Sequence, residues 1–195
     1  MKVISLTGGM ASGKSTAARY LSEQGADVID ADKLGHRAYE LGTQAHREVI
    51  TTFGDDVVST DKSMDRKVLG GKVFGQPGEL KKLTDIVWPE IRRLAEAEIK
   101  ASDPDSIVVL EAAVLFEAGW EDIGDEVWVV VVDREIAIAR TIARDGFDRE
   151  SVESRLDAQI TNEQRSSKAD LVISNNHSEE ELLEQLDQQW HRLMS

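Results

Sequence analysis

The 195-residue sequence predicts an α/β protein with a doubly wound parallel sheet, on three observations. Short apolar runs alternate with helical patterns along the chain. The run "EVWVVVV", residues 126–132, is almost continuously apolar, as a parallel strand buried on both faces requires. The stretch "TGGMASGKST", residues 7–16, lies between an apolar run and a helical pattern. That is the edge at which such sheets bind their ligands.

Taken in order, Met1 to Leu6 reads as a short buried strand. The ten residues of "TGGMASGKST" hold three glycines, one lysine and four hydroxyl side chains. Glycine weakens strands and helices, so a cluster marks backbone that must bend or approach something closely. Gly8, Gly13, Lys14 and Ser15 fit G-x-x-x-x-G-K-[ST], a pattern that arises by chance in roughly one chain of this length in a hundred. Backbone N–H groups of such a loop cradle an anion, and the next helix aims its positive end at it. Lys14 adds a point charge for the outer phosphates, and the Ser15 hydroxyl can hold Mg²⁺. Lys14 to Gln24 follows as a helix, with Ala17, Ala18 and Leu21 at helical spacing and Gly25 as its stop.

Ala26 to Ile29 makes a second strand, ending in Asp30-Ala31-Asp32. Residues 33–105 then form a helical insertion: Leu34 to Leu41, Gln44 to Phe53, Asp65 to Phe74, and Leu80 to Ile99 with a break at Pro89. In the last of these, Leu80, Leu83, Val87, Ile91 and Leu94 make one apolar stripe. Strands resume at Ile107 to Leu110 and at Glu126 to Val132. Helices are expected from Glu135 to Arg144 and from Arg149 to about Gln159. Leu171 to Ile173 is a final strand, and Ser178 with Glu181 makes a capping box for a terminal helix. The chain is thus read as one unit, with a core at about 1–32 and 106–195 and a helical cap at 33–105. A polar, arginine-bearing segment at about 146–167 is expected to act as a mobile lid.

Composition narrows the function classes. A formal charge of −14 disfavours nucleic acid and anionic membranes as partners. No apolar run approaches the ~20 residues of a membrane span, and the first residues already form a strand rather than a signal peptide. The absence of cysteine excludes disulfides, thiolate metal sites and cysteine nucleophiles, and fits the cytoplasm. A phosphate-binding site on so acidic a chain must come from placing individual cations, since no basic block exists.

Asp30 and Asp32 project to the same side of an extended strand end. One of them can cap the next helix, most simply Asp32, and a carboxylate there can also take a proton from a substrate hydroxyl. Arg140 and Arg144, at i and i+4, share a helix face and can neutralise a transferring phosphoryl group. Arg155 and Arg165 follow, while Glu111 and Glu117 flank the end of the third strand. His36, His46, His177 and His191 show no ligand spacing and read as surface residues; Trp88, Trp120, Trp128 and Trp190 read as core.

Several segments together resemble the dephospho-CoA kinase family: "SLTGGMASGKSTAARYLSEQGADVIDADKLGHR", "DRKVLGGKVF", "LTDIVWPEI", "LFEAGW", "RTIARDGF" and "RLDAQITNEQRSSKADLVISNN". They span nearly the full length in the family's order. The resemblance implies a P-loop kinase core with an inserted helical CoA-binding subdomain and a lid; a cytoplasmic monomer is expected. It implies ATP and Mg²⁺ as cofactors, with dephospho-CoA as the small-molecule acceptor. Asp32 is then the base facing the ribose 3′-hydroxyl, and Lys14, Arg140 and Arg144 stabilise the transferred phosphoryl. Nucleotide contacts fall to Gly9, Ala11, Ser12, Gly13, Lys14, Ser15, Thr16 and Asn175, and the metal to Ser15. Two departures stand out. Ala11 occupies a position that is more often glycine, and "EAAVLFE" replaces the usual "D-x-P-L-L-F-E", closer to the kinase half of bifunctional animal CoA synthase. The alternatives are a shikimate- or gluconate-type kinase, which would lack "LFEAGW" and "ADLVISNN", and a non-catalytic nucleotide switch, which has no need of Asp32.

Overall fold

The computed structural model describes residues 1–76 and 78–195. They divide into two compact units, one of Met1–Ile29 with Ala101–Ser195 and one of Asp30–Lys100. The first contains the sheet. Its strands are β1 (Lys2–Gly8), β2 (Asp27–Asp30, whose last residue opens the second unit), β3 (Ile107–Glu111), β4 (Glu126–Val131) and β5 (Leu171–Ser174). They lie in the order β2-β3-β1-β4-β5. β1 pairs in parallel with β3, Leu6 opposite Glu111, and with β4, Gly8 opposite Val130. β4 pairs in parallel with β5, Val131 opposite Ser174. The carboxyl ends of β1, β3, β4 and β5 therefore meet at one edge.

The helices of this unit are α1 (Lys14–Glu23), and, after the second unit, α6 (Arg134–Asp145), α7 (Arg149–Asp157), α8 (Asn162–Ser166) and α9 (Glu179–Met194). Alternate residues of β1 and β4, Ile4 and Leu6 with Trp128 and Val130, pack on Ala17 and Leu21 of α1 and on Leu182 and Leu186 of α9. Each such leucine, isoleucine or valine side chain removed from water is worth about 1.5–3 kcal/mol. α8 was not expected. Its signal is Thr161-x-x-Gln164, a capping box in which Thr161 and Gln164 satisfy each other's backbone N–H groups.

The second unit is helical: α2 (Ala31–Ala38), α3 (Gln44–Phe53), α4 (Arg66–Val73) and α5 (Pro77–Ala101). Its buried side chains include Leu34, Val49, Leu69, Val87, Ile91 and Ile99. Four expectations need correction here. Pro89 does not break the helix, because α5 runs through it. Buried residues on either side, Val87, Ile91, Ala95 and Ile99, recur on one face and outweigh the hydrogen bond that proline forfeits. The stripe shifts accordingly, and Leu80 is exposed. His46 is buried, its Nε2 within hydrogen-bond distance of the Lys62 carbonyl at 3.1 Å, and Trp88 is only half-buried. Among the described residues no helix is long and apolar enough to cross a membrane.

Candidate active site

The loop between β1 and α1 owes its shape to close packing. A side chain on Gly8 would meet the Ser12 hydroxyl and the Val130 carbonyl. Gly13, at φ 95°, is the N-cap of α1, and Ala11 also takes a left-handed conformation at φ 54°. That conformation costs a non-glycine residue about 1–2 kcal/mol, so the loop is held open against local preference. Asn175, just beyond β5 and buried, donates from Nδ2 to the Ser12 carbonyl at 2.8 Å. A side chain on Gly13 would collide with that same amide.

No side chain caps α1, and its first turn carries no acidic residue. By contrast Asp30, Thr43, Asp65, Asp148, Thr161 and Ser178 each cap the helix they precede. A helix of ten residues whose amino end is left uncapped, behind a glycine-rich loop, suits an anion. Lys14 and Ser15 stand in its first turn. Both donate to one carboxylate oxygen, Glu111 Oε1 at the end of β3, Ser15 Oγ from 2.7 Å. The Lys14 and Glu111 side chains are only 13% and 10% exposed. Glu111, which sequence reasoning left undecided, is thus joined to the loop by register: β3 pairs with β1, and its last residue lands opposite Leu6.

A second group reaches the loop from the segment after α7. Gln159 Oε1 accepts from the Met10 N–H at 3.1 Å. Arg165, 3% exposed, lies against Gly9. Between the loop, the end of β4 and this segment is a cavity of about 440 Å³, lined by Gly9, Met10, Asp133, Arg134, Thr161 and Arg165 among others. Sequence reasoning named Arg165 only in passing and Gln159 only as a helix end, since their roles depend on which loop they fold against.

The remaining candidates fall as follows. Arg140 reaches the His177 carbonyl at 3.5 Å, in the turn after β5. Arg144, 64% exposed, forms a bidentate pair with Asp145, which holds its guanidinium above the usual arginine range. The two arginines share α6 but have separate partners. Asp32 is exposed in the first turn of α2 and is not that helix's cap. Asp30 is, its Oδ1 accepting from the N–H groups of Asp32 and Lys33 at 3.0 and 3.2 Å. The strand ends at residue 30, so the earlier aspartate has the extended backbone that a cap requires.

A parallel sheet with a glycine-rich anion loop, an uncapped helix behind it, and lysine, hydroxyl and carboxylate converging at its edge defines a P-loop phosphotransferase. A shikimate kinase from Acinetobacter baumannii shares this fold at a TM-score of 0.54 over 100% of this chain and 93% of its own, with 16% identity. The family model described as dephospho-CoA kinase matches residues 2–181, and the chain belongs to that family. A dephospho-CoA kinase of Geobacter sulfurreducens is 45% identical over 193 residues, 97% of this chain and 98% of its own. The structure of a dephospho-CoA kinase from Campylobacter jejuni superposes at a TM-score of 0.75, with 27% identity, covering 98% of this chain and 96% of its own.

Proposed function

We propose how the residues of this site divide the work of the family's reaction. The chain phosphorylates dephospho-CoA with ATP, a step of coenzyme A biosynthesis. The observation that carries the reading is the uncapped amino end of α1, with Lys14 and Ser15 in its first turn. The acceptor is the ribose 3′-hydroxyl. Its oxygen forms a bond to the γ-phosphorus as the bond to the β-phosphate oxygen breaks, giving coenzyme A and ADP. No covalent enzyme intermediate is needed, because positioning and charge neutralisation suffice.

Lys14 exchanges Glu111 for phosphate oxygens when nucleotide enters, and the backbone N–H groups from Ala11 to Thr16 fold around them. Gly9 leaves room for the approach. Asn175 acts by holding the Ser12 carbonyl, which keeps the loop in its anion-binding shape. Asp32, in the first turn of α2 behind the Asp30 cap, takes the hydroxyl proton. Arg140 and Arg144 neutralise the transferring group once segment 146–167 closes, for which Arg144 must leave Asp145. Mg²⁺ fits the donor set: Ser15 Oγ and Glu111 are hard oxygen donors side by side, and no all-protein cage of three or more acidic, His or Cys ligands exists among the described residues. When bound there it draws charge from the phosphate oxygens. The enzyme works as a cytoplasmic monomer, consistent with a cysteine-free chain, and its charge of −14 disfavours nucleic acid.

A panel of phosphoryl acceptors assayed with ATP and Mg²⁺ tests the reading. Turnover is expected with dephospho-CoA and not with shikimate, gluconate or a nucleoside monophosphate. ATP consumption with one of the latter, and none with dephospho-CoA, would overturn it.

A further inference from the structure

Arg165 is buried beside the phosphate loop without adequate compensation. Its Nη1 donates to the Ile160 carbonyl at 2.5 Å, its Nη2 lies 3.8 Å from Glu117 Oε1, and its Nε has no partner among the described residues. Burial pushes the guanidinium below the usual arginine range, with Glu117 opposing. It remains a cation at neutral pH all the same. A buried charge with one carboxylate at the limit of ion-pair distance is a cost to the empty protein. Arg134, the other guanidinium at the cavity, is already paired with Asp157 at 2.8 Å. What distinguishes Arg165 is its neighbour: a Cβ on Gly9 would lie 3.2 Å from its Nη1 and 3.7 Å from its Cζ. Gln159, six residues earlier, holds the Met10 N–H. One segment thus bears on two successive residues of the phosphate loop, its amide accepting from Met10 and its cation packed against Gly9.

We infer that Arg165 is a positioning residue for nucleotide phosphate: it pins the first turn of the loop at Gly9, and its buried charge is compensated only when phosphate occupies the loop. The inference rests on the reading that this loop holds the phosphates of ATP. Stability given up in the empty protein is returned on binding, so empty and nucleotide-bound states respond oppositely to its removal.

The test measures melting temperature with and without Mg-ATP, and steady-state kinetics, for wild type, Arg165→Met, Arg165→Lys and Glu117→Gln. Arg165→Met keeps the bulk and removes the charge. It should melt no lower than wild type when empty, lose most of the Mg-ATP stabilisation, and raise KM for ATP by about 10- to 100-fold, the value of one charge-assisted contact. KM for dephospho-CoA should move little. Arg165→Lys should recover part of the ATP response. Glu117→Gln removes the one carboxylate paired with the guanidinium among the described residues, so it should melt lower empty and gain a larger Mg-ATP shift. A lower empty melting temperature in Arg165→Met with an unchanged ATP shift and KM would make Arg165 a structural strut and overturn the inference. If Arg165→Met does not fold, an unchanged ATP shift in both Arg165→Lys and Glu117→Gln overturns it equally. Absence of any Mg-ATP shift in wild type would instead refute the nucleotide site itself.

Discussion

Replacing Gly13 by alanine tests whether the phosphate loop is held by one shared contact. Two costs follow from the structure. At φ 95° an alanine sits in left-handed conformation, about 1–2 kcal/mol, offset by about 0.4–1 from a less flexible unfolded chain. The new Cβ also displaces the Asn175 amide from the buried Ser12 carbonyl, and losing that hydrogen bond costs a further ~1–3 kcal/mol. The sum is about 1–5 kcal/mol, against a typical stability of ~5–15. Gly146 supplies the control, since it has φ 70° with nothing near a would-be Cβ. Gly146→Ala should therefore show the conformational cost alone. Asn175→Ala should cost the hydrogen bond alone. Because Gly13→Ala already breaks that bond, the double variant should fall short of additivity by about 1 kcal/mol or more. Urea denaturation of the four variants measures all of these terms. Additive costs, or a Gly13→Ala variant no weaker than Gly146→Ala, would refute the idea that Asn175 and Gly13 share one space.

Other outcomes follow from single contacts. Ala11→Gly relieves the left-handed conformation at φ 54° and should raise stability by about 0.5–1 kcal/mol, read as a higher melting temperature; no gain would show the strain is not carried there. Lys14→Ala should lower turnover by ~10²-fold or more. It also leaves the buried Glu111 with Ser15 as its remaining donor, so adding Glu111→Gln should restore stability but not activity, and near-normal turnover in Lys14→Ala would exclude the loop from catalysis. Asp30→Ala should cost about 1–2 kcal/mol of stability through loss of the α2 cap, while Asp32→Asn should lower turnover ~10²–10⁴-fold; an active Asp32→Asn enzyme would move the base elsewhere. Arg192, with help from Trp128 and Lys2, holds the Glu126 carboxyl down at about 2 against an ordinary 4.5. A lowered folded value means stability that is present above about pH 4.5 and lost as pH falls toward 2. Glu126→Gln should thus be weaker than wild type by about 2 kcal/mol at pH 7, with half-exposed Arg192 and Lys2 discounted, and equal to it near pH 2; a gap independent of pH would refute the linkage.

The α/β class and the phosphate loop were legible in the sequence because they rest on local signals. Period and run length mark strands and helices, and a glycine-rich turn with lysine and serine declares its anion within ten residues. Ser178 and Gly25 likewise announce where helices start and stop. Errors arose where a local signal competed with burial or with a neighbour out of sequence reach. Proline breaks an isolated helix, yet α5 runs through Pro89 because Val87, Ile91 and Ala95 bury on one face. Two aspartates two residues apart have equal claims as a cap until the last extended residue is known, and only the backbone at Asp30 decided between them. Glu111, Gln159 and Arg165 lie roughly 100 to 155 residues from the loop they touch. Strand order brought them there: β1 lies between β3 and β4, so whatever follows those strands meets the loop that follows β1. The sequence by itself determined that residues 8–15 carry the glycines, lysine and serine of a phosphate grip. Which carboxylate, amide and buried cation surround that grip was decided by tertiary structure alone, since a hydrogen bond or an uncompensated charge exists only where folding sets two groups within a few ångströms of each other.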